Sequence, residues 1–590
     1  MIPFRVWAPH AKRVELDVAG DRHPMAAADY GWWHAELTLD ENHADYAFVL
    51  DGGEPLPDPR SLWQPRGIHG ASRMVNHKAF SWTDQRWQAR PLSAAIIYEL
   101  HVGTFTPQGT FAAVIDKLDY LVGLGITHVE LMPVAEFSGS RGWGYDGADL
   151  YAPHHAYGGP DELKRLVDAC HGHGLAVILD VVYNHLGPAG NYLARFGPYF
   201  TERYATPWGQ AINFDGPDSD EVRRFVCDNA LMWLRDYHFD GLRLDAVHAL
   251  IDVSAMHLLE QLACEVTELE AQSGRHLILI AESDLNDPRI VRSQEIGGYG
   301  IQAQWSDDFH HALHTVLTGE RDGYYADFGS MADLAKAIER VFVHDGSYSA
   351  FRRRRHGRPP KGILGHSFLG YLQNHDQVGN RAHGERSSHL LSVGRLKIAA
   401  ALVLSAPFIP MLFQGEEWAA SSPFLYFTNH EDAELGRLVT EGRRREFAAF
   451  SAHSDDVPDP QALETFERSK LVWDECRRAP HAEMLDWHRR LIRLRHELAA
   501  LSDGRPDRVS VSFDEQAKWL VMARGPIAVA CNLSERRQQM PMSIGKDRRL
   551  LLASEQEIQL AGAGVELPPD SVAIVEAIGN RGSRWGSEHG

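Results

Sequence analysis

Asp240-Gly241-Leu242-Arg243-Leu244-Asp245-Ala246-Val247-His248 is a short apolar run that ends in a carboxylate. In an extended segment side chains alternate between faces, so Arg243 and Asp245, two apart, point the same way. The same pattern recurs along the chain. Apolar runs at residues 95–100, 128–133, 176–180, 241–245, 277–282, 301–305, 370–374 and 409–414 make eight candidate strands. Helical patterns separate them, as at 161–170, where Leu163, Leu166, Val167 and Cys170 fall at i, i+3, i+4 and i+7. Eight strands with intervening helices predict an α/β fold, a (β/α)8 TIM barrel over residues 91–501. Asp180, Asp245, Glu282 and Asn374 close four of the runs, at the C-terminal ends where such barrels carry their chemistry.

Short alternating runs such as 4–7 and 13–18, broken by Gly, Asp and Pro turns, predict an N-terminal β-sandwich over 1–90. Similar runs after about 501 predict a C-terminal β-sandwich over 502–590, with a Gly-rich end from 579 expected to fray. Two connections in the barrel are unusually long, about 185–213 and 319–367, and long loops on that face shape access to a site.

Composition excludes several classes. Of 590 residues, 44% are hydrophobic and 24% charged, the usage of a globular chain. A net charge of −21 gives no basic footprint for nucleic acid or an anionic membrane. The five cysteines (Cys170, Cys227, Cys264, Cys476, Cys531) are scattered, without a CxxC pair, which argues against a disulfide framework and a structural zinc. No signal-like N-terminus and no membrane-length apolar run is visible, so a cytoplasmic location is expected. His171 and His173 could ligate zinc, but they end a helix on the opposite face of the barrel, and a solvated helix end is the expectation. No metal and no cofactor are expected.

The acids carry the chemistry. Arg243 beside Asp245 would keep that carboxylate ionised, as a nucleophile requires. Glu282 ends an apolar run, where desolvation would raise its pKa and suit it to act as a general acid. Two carboxyls pushed in opposite directions are what glycosidic cleavage needs. Asp376 supplies a third acid, beside His375, an imidazole that could bind a sugar hydroxyl while neutral. Asp180-Val181-Val182-Tyr183-Asn184-His185 repeats the arrangement of polar groups just beyond a strand.

These four segments, in order, resemble the motifs of the alpha-amylase superfamily of retaining glycoside hydrolases. The resemblance implies that Asp245 is the nucleophile, Glu282 the acid/base and Asp376 the transition-state stabiliser. It places Arg243, His185 and His375 in the sugar pocket, Tyr145 under the reacting ring, and His248 and Gln377 among the substrate contacts. The N-terminal sandwich resembles the carbohydrate-binding modules that precede the barrel in branching and debranching enzymes.

Residues 99–106, 142–147, 151–160 and 305–311 resemble those superfamily members that act on maltooligosyltrehalose, cleaving the α-1,4 bond next to its terminal trehalose. That likeness implies that Trp305, Asp307, Asp308 and His310 hold the trehalose side; an acidic cap on the following helix is the competing reading of the two aspartates. A glucan branching enzyme is the alternative, although Gln373-Asn374-His375-Asp376-Gln377 departs from the Ser-His-Asp-Glu pattern associated with it. A general α-glucan hydrolase is the other. Trp7, Trp32 and Trp33 read as core, and Arg352 to Arg355 as a solvated loop.

Overall fold

The computed structural model describes residues 2–38, 44–448, 457–562 and 564–578. The expected fraying of 579–590 lies outside the described residues.

Eight strands, β1 (Ile97–Leu100), β2 (His128–Leu131), β3 (Ala176–Val181), β4 (Gly241–Leu244), β5 (Ile278–Ala281), β6 (Ala303–Trp305), β7 (Phe368–Gly370) and β8 (Ile409–Phe413), close into one barrel. Each is parallel to its neighbours. The apolar runs are continuous because both faces are buried. Along β5, Ile278 and Ile280 join Ile97, Ile178 and Met411 inside the barrel, whereas Leu279 and Ala281 pack outward into the main core beneath the helices. The 161–170 pattern lies within the helix Gly159–Gly172.

One strand is displaced from its expected place. The predicted run 370–374 meets β7 only at Gly370. The Asn374 side chain accepts from the backbone N–H of Asp376 at 2.9 Å while Gln377 Oε1 accepts from that of Asn374 at 2.9 Å. This capping box starts the short helix His375–Gly379, so residues 371–374 lead out of the barrel rather than extending it.

The two expected loops are structured. The first folds into the hairpin Phe200–Thr206 with Gly209–Ile212, and the second contains the helix Met331–Arg340. A third long connection, which the sequence reading passed over, follows β8 and carries the helix Ala433–Ala448 before the helix His481–Glu497.

N-terminal to the barrel, Ile2–Trp7, Trp32–Leu37 and Ala26–Ala27 form one sheet and Asp21–Pro24, Val14–Val18, Asp45–Leu50 and Pro55–Leu56 another. Phe4 and Tyr46 meet edge to face across them, centroids 5.0 Å apart. After the barrel, a five-stranded and a three-stranded sheet share a core that includes Val521, Met540, Val565 and Val575. Trp7 is buried, as its core reading requires. His171 is a correction: instead of ending a helix in solvent it is buried, Nδ1 2.9 Å from Asp84 and Nε2 2.9 Å from Asp240. All five cysteines are unpaired. Among the described residues no helix is long and apolar enough to cross a membrane.

Candidate active site

At the C-terminal end of the barrel lies a cleft of about 880 Å³ whose lining includes Tyr145, His185, Asp245, Glu282, His375 and Asp376. β3 brings Asp180, the residues just past β4 and β5 are Asp245 and Glu282, and the turn after β7 delivers His375 and Asp376.

Arg243 is the hub. Fully buried, its Nη1 donates to Asp180 Oδ2 at 2.7 Å and to Asp245 Oδ1 at 2.8 Å, and its Nη2 lies 3.6 Å from Glu282 Oε2. Burial opposes the guanidinium charge, but Asp180 above all, then Tyr145, Asp245 and Glu282, outweigh it and raise the pKa. The Trp305 ring supports the guanidinium from one face, 4.2 Å from Cζ.

Glu282 has its pKa raised well above the usual carboxyl range, chiefly by burial, with Asp245 and Asp307 adding and Arg243 opposing. That is the direction its apolar run predicts. Its Oε2 accepts from the Ala246 N–H at 2.6 Å. Ala246 has a left-handed backbone, φ 40°, a strained conformation for a non-glycine residue, placed here directly after Asp245.

His375 differs from expectation. Its Nδ1 and backbone N–H both bond to Glu99, and its pKa is raised to about 9: burial would lower it, but Glu99 and then Asp376 dominate. The ring is therefore an imidazolium near neutrality, not the neutral imidazole inferred from its position. Nε2 is 3.6 Å from Asp376 Oδ1.

Gly144, φ 97°, turns where a Cβ would come within 2.2 Å of the Pro133 carbonyl, and this turn delivers Tyr145. The Tyr145 hydroxyl donates to Asp180 Oδ2 at 2.5 Å, and its ring stacks on His375, centroids 5.0 Å apart. His185 is 2.8 Å from the Tyr145 carbonyl through Nε2, and burial lowers its pKa. Its ring stacks on Trp208 at 4.6 Å. His248 also lines the cleft, Nδ1 4.0 Å from Asp284 Oδ1.

The residues expected on the trehalose side separate. Asp307 stays half-buried, bonded to the Tyr371 hydroxyl, with its pKa raised to about 7 by burial first, then by Asp284 and Asp308. Asp308 and His310 are not brought to the cleft. Asp308 Oδ2 accepts from Asn286 and from the N–H groups of Val343 and His344 at 2.7–2.9 Å, tying down the chain after the helix Met331–Arg340. His310 is spent on the Leu372 carbonyl, 2.6 Å, and the Tyr325 hydroxyl, 2.9 Å. Both lie on the helix Asp307–Thr318, on buried faces of it. Gln377 is held in the capping box, and Trp305 is buried behind Arg243.

Sequence reasoning missed Glu99, although it sits in the first strand as Asp180 does in the third. It also missed Asp284, Trp208, Tyr426 and His430, which line the cleft. Arg352 was assigned to a solvated loop, but its Nη1 donates to Asp284 Oδ2 at 2.9 Å on the cleft rim.

A barrel with an arginine joining acids from three strands, preceded and followed by β-sandwiches, has the architecture of an alpha-amylase-type glycoside hydrolase. Family models agree: the alpha amylase catalytic domain matches residues 75–204, carbohydrate-binding module 48 (isoamylase N-terminal domain) residues 1–62, and a domain of unknown function, DUF3459, residues 504–574. A malto-oligosyltrehalose trehalohydrolase of Mycobacterium tuberculosis is 50% identical, covering 98% of this chain and 99% of the relative. Another, of Saccharolobus solfataricus, is 47% identical over 90% of both. The crystal structure of a Salmonella typhimurium protein is 38% identical and superposes with a TM-score of 0.90 over 97% of each chain. The chain belongs to the malto-oligosyltrehalose trehalohydrolase family.

Proposed function

We propose that the protein hydrolyses the α-1,4-glucosidic bond next to the terminal trehalose of maltooligosyltrehalose, releasing trehalose and a maltooligosaccharide with retention of configuration. The observation that carries the chemistry is the Arg243 hub, which bonds to Asp245 while Glu282 lies 3.6 Å from its other nitrogen, its pKa raised by burial in the direction an acid needs. Glu282 gives its proton to the leaving trehalose oxygen as that bond to C1 breaks, and an Asp245 carboxylate oxygen bonds to C1 on the opposite face. Water then attacks C1, losing a proton to Glu282, and the Asp245–C1 bond breaks, which restores both acids. Asp376, half-exposed in the cleft and beside the His375 imidazolium, is placed to hold ring hydroxyls in the distorted sugar. Tyr145 and His185 wall the sugar site.

The leaving-group side is read from Asp284 and His248 in the cleft lining, with Arg352 bonded to Asp284 and Asp307, outside that lining, acting on Glu282 from beyond it. Asp284, His248 and Arg352 would bond to the second glucose of trehalose, which projects differently from the next unit of a maltodextrin. Left unpaired on a plain glucan, such groups can discriminate by about 10⁴-fold. Family membership disfavours a branching transferase. The unpaired cysteines suit a reducing compartment, and we place the protein in the cytoplasm.

Products from a trehalose-capped maltooligosaccharide and from maltopentaose, separated by chromatography, test this reading. Free trehalose, and a far larger kcat/KM for the capped substrate, are expected. Equal efficiency on both would make the protein a general α-glucan hydrolase, and new α-1,6 branches a transferase.

A further inference from the structure

We propose that Glu136, His154 and His155 form a binding site for one zinc-class divalent cation, which clamps the base of the hairpin that carries Tyr145 and Asp146 into the cleft.

Glu136 ends the strand Ala135–Glu136, paired antiparallel with Asp149–Pro153. The two histidines follow that second strand directly, so three ligands of two types meet at the open end of one hairpin. One atom from each lies within 4.8 Å of the others. Glu136 and His154 are fully buried. Glu136 Oε1 is 2.6 Å from His155 Nδ1 and 3.4 Å from His154 Nδ1, and its Oε2 accepts the His155 backbone N–H at 2.8 Å.

His154 makes the case for a ligand. Neither of its ring nitrogens has a hydrogen-bond partner, although its ring is sealed under Phe137, centroids 3.7 Å apart. A buried ring nitrogen without a hydrogen bond is destabilising; a cation on Nδ1 would satisfy that nitrogen, which otherwise faces Glu136 Oε1 at 3.4 Å. Zinc bonds of about 2.0–2.2 Å to nitrogen and carboxylate oxygen imply tetrahedral edges of roughly 3.4 Å. The Glu136–His154 spacing already has that value, whereas the Glu136–His155 contact of 2.6 Å is that of a hydrogen bond and must open to admit the cation. His155 is 29% exposed at its side chain, which gives an entry path and a face for water as fourth ligand. Two imidazoles and one carboxylate favour zinc over calcium or magnesium. The three residues stand outside the cleft lining, so the cation's role is structural. It would fix residues 137–148, whose Trp143, Tyr145 and Asp146 line the cleft.

Full-length protein is stripped with a chelator, dialysed, incubated with zinc chloride and desalted before elemental analysis. One zinc per chain is expected, with cobalt in its place giving the strong visible absorption of a tetrahedral site. His155→Gln, at the surface, and Glu136→Gln should each weaken zinc retention by at least about 10-fold and abolish any zinc-dependent rise in Tm. Failure of the wild-type protein to retain stoichiometric zinc, or equal retention by the wild type and His155→Gln, would overturn the proposal; the latter test stands even if Glu136→Gln does not fold.

Discussion

Arg243 touches Asp180, Asp245 and Glu282 from a fully buried position, so the two reacting carboxyls are placed by one rigid group rather than by separate loops. Their roles separate by rescue. Asp245→Ala should lose about 10⁴-fold or more in kcat, because no covalent intermediate can form. Glu282→Gln should be comparably impaired on the natural substrate but retain its first step on an α-glucosyl fluoride, whose leaving group needs no proton. Equal impairment on both substrates would count against Glu282 as the acid. A second prediction concerns Glu99 and His375. His375 has a folded pKa of about 9, above the ordinary value of roughly 6.5. Its pairing therefore contributes stability that is fully present below about pH 6.5 and is lost as pH rises through about 9. Wild type should exceed Glu99→Gln in Tm at pH 6, and the gap should close above pH 9; a gap independent of pH would remove the imidazolium. The three acids were legible because each closes or follows an apolar run. The charge on His375 was not, because its counterion Glu99 lies 276 positions away in the chain.

Elements delivered by long connections build much of the cleft wall, and here the sequence is least readable. Seven strands fell on their predicted runs, since burial on both faces leaves an unbroken apolar signature. β7 did not, because Tyr371 and Leu372 stay apolar while the backbone is already turning toward the Asn374 cap. The 319–367 segment read as a loop although Met331, Leu334, Ala335 and Ile338 are the buried face of a helix. The family likeness set Asp308 and His310 beside Asp307 on the trehalose side, but a helix turns successive side chains about 100° apart, and of the three only Asp307 is not fully buried. The hairpin Phe200–Thr206 and Gly209–Ile212 presents Trp208, 48% exposed, at the cleft with its ring flat on His185. Trp208→Ala should raise KM by roughly 2- to 10-fold, the worth of an aromatic contact of about 0.5–1.5 kcal/mol, with kcat changed less. Steady-state kinetics on the capped substrate would show this, and an unchanged KM would make Trp208 a bystander.

At the scale of the whole molecule, the N-terminal sandwich is joined to the barrel beside the cleft. Trp7 packs edge to face on Tyr199, centroids 5.2 Å apart, and a Cβ on Gly197 would come within 2.8 Å of its ring. Phe48 meets Phe196 in the same way at 6.5 Å. Arg60 Nη1 donates to Asp228 Oδ2 at 2.8 Å and to the Tyr151 hydroxyl at 2.9 Å. Tyr199 is followed at once by the hairpin that presents Phe200, Trp208 and Gln210 to the cleft, so the sandwich props one wall of the site. Two roles for it give different kinetics. A module that bound distant glucan would matter more as the substrate lengthened, whereas a prop would matter equally for every substrate. Trp7→Ala should therefore lower Tm, by the loss of about 3–5 kcal/mol for a large buried aromatic side chain. Measured well below its Tm, the variant should lower kcat/KM by the same factor for short and long trehalose-capped oligosaccharides. A loss confined to long chains would instead assign Trp7 to glucan binding and return the sandwich to the role its family resemblance suggests.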